Sequence, residues 1–141
     1  MRNSHKHVVE VVSDFCARNR PNTRHRVQLQ ELLIGFVDVL DDRNLKTICG
    51  LLSNSEYAPK LLVVALCMKP VDICQALLVA SPVPGHGEFM TIIDQRGIEH
   101  ARAIARNPAI SRETASLLRS LNDQRVDRAL DLRQQPIITS T

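Results

Sequence analysis

A hydrophobic pattern that returns every 26 residues constrains this chain more than any other feature. Leu52, Leu78, Ile104 and Leu130 stand one period apart, as do Leu51, Leu77, Ala103 and Ala129, and all are small or apolar. Leu40, Leu66, Ile92 and Leu118 keep the same register, with Val37, Val63, Phe89 and Ala115 one turn before them. Ile48, Cys74, His100 and Val126 fill a further column. One such column could arise by chance. Several in one register mark a unit too small to bury its apolar face alone, which stacks on copies of itself. The pattern predicts an all-α fold, an α-solenoid of short stacked helical hairpins.

Breakers fall where such a unit needs them. Pro59 and Pro70 each open an apolar stretch, where a missing N–H is no loss to a helix, and Asp72 then adds negative charge to a first turn. Gly97 reads as a left-handed helix stop, Pro108 as an interruption, and Ser111 and Asp123 as N-caps. Helices are expected near 7–18, 27–40, 43–54, 58–68, 70–80, 86–95, 97–106, 111–121 and 123–133, with no strands. The clearest is 27–40, where Leu29, Leu32, Leu33, Phe36, Val37 and Leu40 follow the i, i+3, i+4, i+7 rule. The first, carrying Val8, Val11, Val12, Phe15 and Cys16, stands outside the register and is rich in β-branched residues, so it reads as a cap. The expected organisation is a basic N-terminal helix and linker over 1–26, a repeat domain over 27–133 and a C-terminal tail over 134–141.

With 141 residues, 44% of them apolar, the chain suits one domain with one core. It contains no apolar run of the ~18 residues that a membrane span needs and no signal-peptide pattern, so a cytoplasmic location is expected. Cys16, Cys49, Cys67 and Cys74 form no CxxC pair and mostly sit among apolar residues, as buried free thiols do. Among the histidines, His5 and His7 lie near the terminus, His25 adds little, and His100 occupies an otherwise apolar column. His86 stands between Gly85 and Gly87 in a motif too short to cradle phosphate. Neither a nucleophile–base constellation nor a P-loop or metal-ligand spacing is present, so no catalytic, cofactor or metal residue is expected.

Charge is distributed unevenly. Residues 1–26 sum to +4, residues 27–94 to −4 and residues 95–141 to +3. Arg102 and Arg128 are one period apart and Arg106 lies one turn from Arg102, which predicts a row of arginines able to hold an acidic partner segment. The competing reading pairs them with Glu99, Asp127 or Asp131 as solvated ion pairs of at most about 1 kcal/mol each. Arg18, Arg20, Arg24 and Arg26 could meet phosphates nonspecifically. Nucleic acid is nevertheless disfavoured, because Trp is absent and Phe36 and Phe89 belong to apolar stripes, leaving few aromatics on which bases could stack. The last helix has no partner in the pattern. Its apolar flank, Val126, Ala129 and Leu130, is expected to be covered by Pro136-Ile137-Ile138 or by a second chain, as in a homo-oligomer.

The succession Val71-Asp72-Ile73 to Leu77-Leu78, Ser81-Pro82, His100-Ala101-Arg102-Ala103-Ile104-Ala105-Arg106 and Asp123 to Leu130 resembles an uncharacterised bacterial family of HEAT-like repeat proteins. Leu32 to Leu40, Asp41-Asp42, and Ala58-Pro59 before Leu61-Leu62 extend the resemblance to about residues 27–133. It implies a HEAT-like fold and no known reaction; the 26-residue unit of this chain departs from the ~40–47 residues of ordinary HEAT repeats. The expected function is a non-enzymatic protein–protein interaction scaffold. A nucleic-acid-binding role for the basic head and a self-assembling structural role are the alternatives.

Overall fold

Apolar stripes at helical spacing, bounded by capping residues, fold into nine α-helices among the described residues of the computed structural model, which describes residues 2–134 with side chains from His7 to Arg133. They are α1 (Arg2–Ala17), α2 (Thr23–Ile34), α3 (Asp42–Leu52), α4 (Lys60–Cys67), α5 (Val71–Ala80), α6 (His86–Arg96), α7 (Ile98–Ile104), α8 (Arg112–Arg119) and α9 (Gln124–Gln134). The odd-numbered helices pack in sequence as one row, α1 on α3, α3 on α5, α5 on α7 and α7 on α9. The even-numbered helices form a second row in the same way, from α2 on α4 to α6 on α8. Of the tail expected over 134–141, residue 134 closes α9, and the rest, including Pro136-Ile137-Ile138, lies outside the described residues.

Part of the chain keeps the 26-residue spacing in its helix starts, while α3 and α5 start 29 residues apart and α5 and α7 27 apart. Helices α4, α6 and α8 start one period apart at Lys60, His86 and Arg112, and α7 and α9 start one period apart at Ile98 and Gln124. The N-caps Pro59, Gly85 and Ser111 share that spacing. Every member of the columns through Leu52, Ile48 and Leu40 is buried, including Leu130, Val126 and Leu118 at their far ends, and they lie in a single core between the two rows.

Two buried polar side chains tie neighbouring loops to the following hairpin. The carbonyl of Leu78 would ordinarily accept from the N–H four residues on, but that residue is Pro82 and has none. Asn107 replaces it: its Nδ2 donates to Leu78 O at 3.1 Å and to Ser81 O at 2.9 Å, while its Oδ1 accepts from Ala109 N–H at 2.8 Å. His100 acts similarly one loop earlier, donating from Nε2 to Lys69 O at 2.9 Å. Ser81 and Asn107, like Cys74 and His100, are 26 residues apart. The repeat therefore sets polar contacts as well as apolar ones.

Two expectations change in detail. The stripe from Leu29 to Leu40 outlasts its helix: α2 begins earlier, with an Asn22–His25 capping box, and regular α-geometry ends at Gly35. Residues 36–40 continue as turns, held by bonds such as Leu40 N–H to Phe36 O at 2.9 Å, so Val37 and Leu40 stay buried without a helix. The division expected at 26/27 consequently falls inside α2. Helix α1 is also an integral end of the odd row, since Val8, Val12 and Phe15 join the common core.

Gly97 joins α6 directly to α7 with φ 91° and ψ −156°, a backbone region essentially restricted to glycine. An added Cβ would meet nothing within 4 Å, so only the backbone conformation opposes it. Gly97→Ala is expected to lower the unfolding free energy by about 1–2 kcal/mol, read as a lower urea midpoint at unchanged slope.

Candidate partner-binding face

The arginines divide by what holds them. Arg102, on α7, presents its fork to Asp123, with Nε to Oδ1 at 3.2 Å and Nη2 to Oδ2 at 2.8 Å. Asp123 at the same time accepts from Val126 N–H at 2.9 Å, at the first turn of α9. This is a structural clamp between two helices, and its carboxylate is none of the three expected from sequence. Arg102 is thereby taken out of the row.

Its protonation behaviour follows from the geometry. The Arg102 hydrogen bond, aided by Val126 N–H, lowers Asp123 from the ordinary 3.8 to about 2. The unfolded chain takes up this proton first as pH falls. The stabilising contribution is therefore complete above about pH 4 and disappears as pH approaches 2. Unfolding of the native chain and of Asp123→Asn, compared at neutral pH and in acid, is expected to differ at neutral pH and to converge near pH ~2.

Arg106 and Arg128 do come together, with two arginines that the sequence reading missed. A groove of about 390 Å³ is lined by Arg106, Arg125, Arg128, Ala129, Leu132 and Arg133. Helical spacing explains the assembly: at about 100° per residue, Arg125, Ala129 and Leu132 share the side of α9 away from Asp127 and Asp131, which face Arg119 of α8. No carboxylate of the described residues lies within ion-pair distance of Arg106, Arg125 or Arg128, and all three are exposed. Leu132, 57% exposed, supplies an apolar surface among them. Arg106 also borders a second hollow, of about 440 Å³, lined by Lys46 and by α5 residues including Asp72, Ala76 and Val79, so this part of the face carries both signs of charge. The odd row thus carries a furrowed face that is most basic at its α7–α9 end.

The oligomer contact expected at Val126, Ala129 and Leu130 needs correction. Val126 and Leu130 are fully buried within the chain, because α9 packs on both α7 and α8, and only Ala129 reaches the groove. The exposed apolar residue of α9 is Leu132, which i, i+3, i+7 counting from Arg125 would have placed beside Arg128.

The basic head does not form one face. Arg18, Arg20, Arg24 and Arg26 are all exposed around the α1–α2 junction, but Arg24 and Arg26 are two residues apart on α2 and point in widely different directions. Arg18 lines a shallow hollow of about 260 Å³ together with Asp14 and His25.

Cys49, Cys67 and Cys74 are buried free thiols. Burial, reinforced by neighbouring thiols, pushes Cys49 up to about 12 and raises Cys67, while burial pushes Cys74 up to about 11. Such thiols are weak nucleophiles at neutral pH. Cys74 Sγ lies 3.8 Å from His100 Nε2, which is already committed to the Lys69 carbonyl. His86 Nδ1 bonds the Thr114 hydroxyl at 2.9 Å, linking α6 to α8. Among the described residues no group of three or more His, Cys, Asp and Glu is arranged to hold a metal ion, and no helix is long and apolar enough to cross a membrane.

Comparison of the chain with family models, curated proteins and solved structures finds no match.

Proposed function

We propose that this protein is a non-enzymatic interaction module, an α-solenoid of HEAT-like hairpin repeats that takes an acidic, amphipathic segment of another polypeptide into the groove between α7 and α9. The observation that carries the reading is the set of exposed guanidiniums of Arg106, Arg125 and Arg128, without carboxylate partners among the described residues, around the exposed Leu132. Like charges gathered on one surface repel one another, and an acidic ligand removes that repulsion, while covering the exposed part of Leu132 adds about 1 kcal/mol. Four free thiols accord with a reducing compartment such as the cytoplasm. The groove is lined by six residues, against the roughly 20–30 a side of a standard interface, so the expected binding is weak and reversible.

Amide shift mapping on ¹⁵N-labelled protein tests the reading. An acidic peptide with one central leucine is expected to move the resonances of Arg106 and of residues 125–133. Shifts confined to residues 18–26, seen with an oligonucleotide and absent with the peptide, would instead favour a nucleic-acid role for the basic head.

A further inference from the structure

The turn between α2 and α3 carries the chemistry that the groove lacks. Val39 is 61% exposed, and beside it in sequence stand Asp38, whose side chain is 92% exposed, and the exposed Asp41 and Asp42. An apolar side chain among carboxylates is the complement of Leu132 among guanidiniums. The two surfaces are separated along the odd row: the turn precedes α3, and α5 stands between it and the α7–α9 groove, with Lys46 of α3 and Arg106 meeting only at the rim of one hollow. A copy therefore cannot satisfy its own groove with its own turn, whereas two copies can do so for each other in succession. From this complementarity we infer that the groove receives the Asp38–Asp42 turn of a second copy of this chain, giving a weak, open, head-to-tail association.

Local cations do not remove the match. Asp38 is paired with Lys69 at 3.1 Å, but that carboxylate is almost fully solvated, and exposed pairs of this kind exchange at little cost. Asp41 Oδ1 is occupied by Asn44 N–H at 2.9 Å, which leaves Asp42 and the outer oxygens free to meet arginine. Arg43 is the remaining cation of the turn, set against three carboxylates. Because the contact is heterologous, each added copy exposes a new turn and a new groove, and growth does not stop at a dimer unless the rotation closes a ring.

The inference rests on the groove being a binding surface for acidic segments, and sedimentation equilibrium separates the two ideas. At about 50 mM salt the weight-average mass is expected to rise with concentration past that of a dimer, and to return to a monomer at about 1 M, where the Debye length shrinks to ~3 Å. Asp38→Asn with Asp42→Asn removes the turn, and Arg106→Gln with Arg128→Gln weakens the groove. Each double variant alone is expected to be monomeric. Mixed, they retain one intact turn and one intact groove and are expected to form a dimer that grows no further. A native chain that stays monomeric throughout, or an association indifferent to the Asp38 and Asp42 changes, overturns the inference. If the native chain is monomeric and yet binds the acidic peptide in the groove, the interaction module stands without self-assembly. If the peptide also fails to bind, both ideas fall.

Discussion

Asn107→Leu is expected to lower the unfolding free energy by about 4 kcal/mol, although the substitution is close to isosteric and touches no part of the proposed binding face. Asn107 is fully buried and satisfies three backbone groups at once: the carbonyls of Leu78 and Ser81 and the N–H of Ala109. Leucine offers none of these bonds and keeps water out. Each buried polar group left without a partner costs about 1–3 kcal/mol, and the Leu78 carbonyl has no reserve donor because residue 82 is proline. Urea unfolding followed by far-UV circular dichroism reads the effect. A loss below about 1 kcal/mol would mean that the loops are not held by this side chain.

Arg106→Glu with Arg128→Glu is expected to weaken binding of an acidic amphipathic peptide by at least about 100-fold, equivalent to about 2.7 kcal/mol. The change replaces two attractive contacts with two repulsive ones at a groove whose arginines, in the described residues, answer to no carboxylate of their own. Because both side chains are exposed, stability is expected to change by no more than about 0.5 kcal/mol. Arg102→Glu separates the two kinds of arginine. It breaks the clamp on Asp123 and so is expected to act on stability, with little direct effect on the peptide. Fluorescence anisotropy with a labelled peptide, combined with thermal unfolding of each variant, distinguishes a lost contact from a lost fold.

Much of the helical organisation is legible in the sequence because it rests on local chemistry and on one repeated spacing. Ser111 and Gly97 announce themselves as cap and breaker, and the columns through Leu52 and Leu40 mark the buried faces wherever the period holds. The reading weakens where the chain leaves that register. Residues 36–40 keep an apolar stripe while turning, since burial asks only that Val37 and Leu40 point inward, whatever hydrogen bonds the backbone makes. Helix α1 fits no column and still packs on α3, because an end helix needs a single apolar face.

The site was legible only in part for a related reason. A period of 26 residues places Arg102 and Arg128 in equivalent slots, but it does not say which carboxylate each will meet, and Asp123 reaches Arg102 only because α7 and α9 are neighbours. Arg125 and Leu132 could have been found from the same helical counting that exposed the core. What sequence could not supply was the side of α9 left open once Asp127 and Asp131 turn toward Arg119.

The central claim, that a polypeptide segment occupies the α7–α9 groove, is tested most directly by photo-crosslinking in the native cell. p-Benzoylphenylalanine in place of Leu132 samples the groove, and the same group in place of Leu61, which is 66% exposed on the even row, serves as a control of comparable exposure. The predicted result is a discrete crosslinked product from position 132 alone, whose attached peptide, identified by mass spectrometry, is rich in Asp and Glu. Equal, diffuse labelling from both positions, or an attached segment with no acidic residues, would contradict the account.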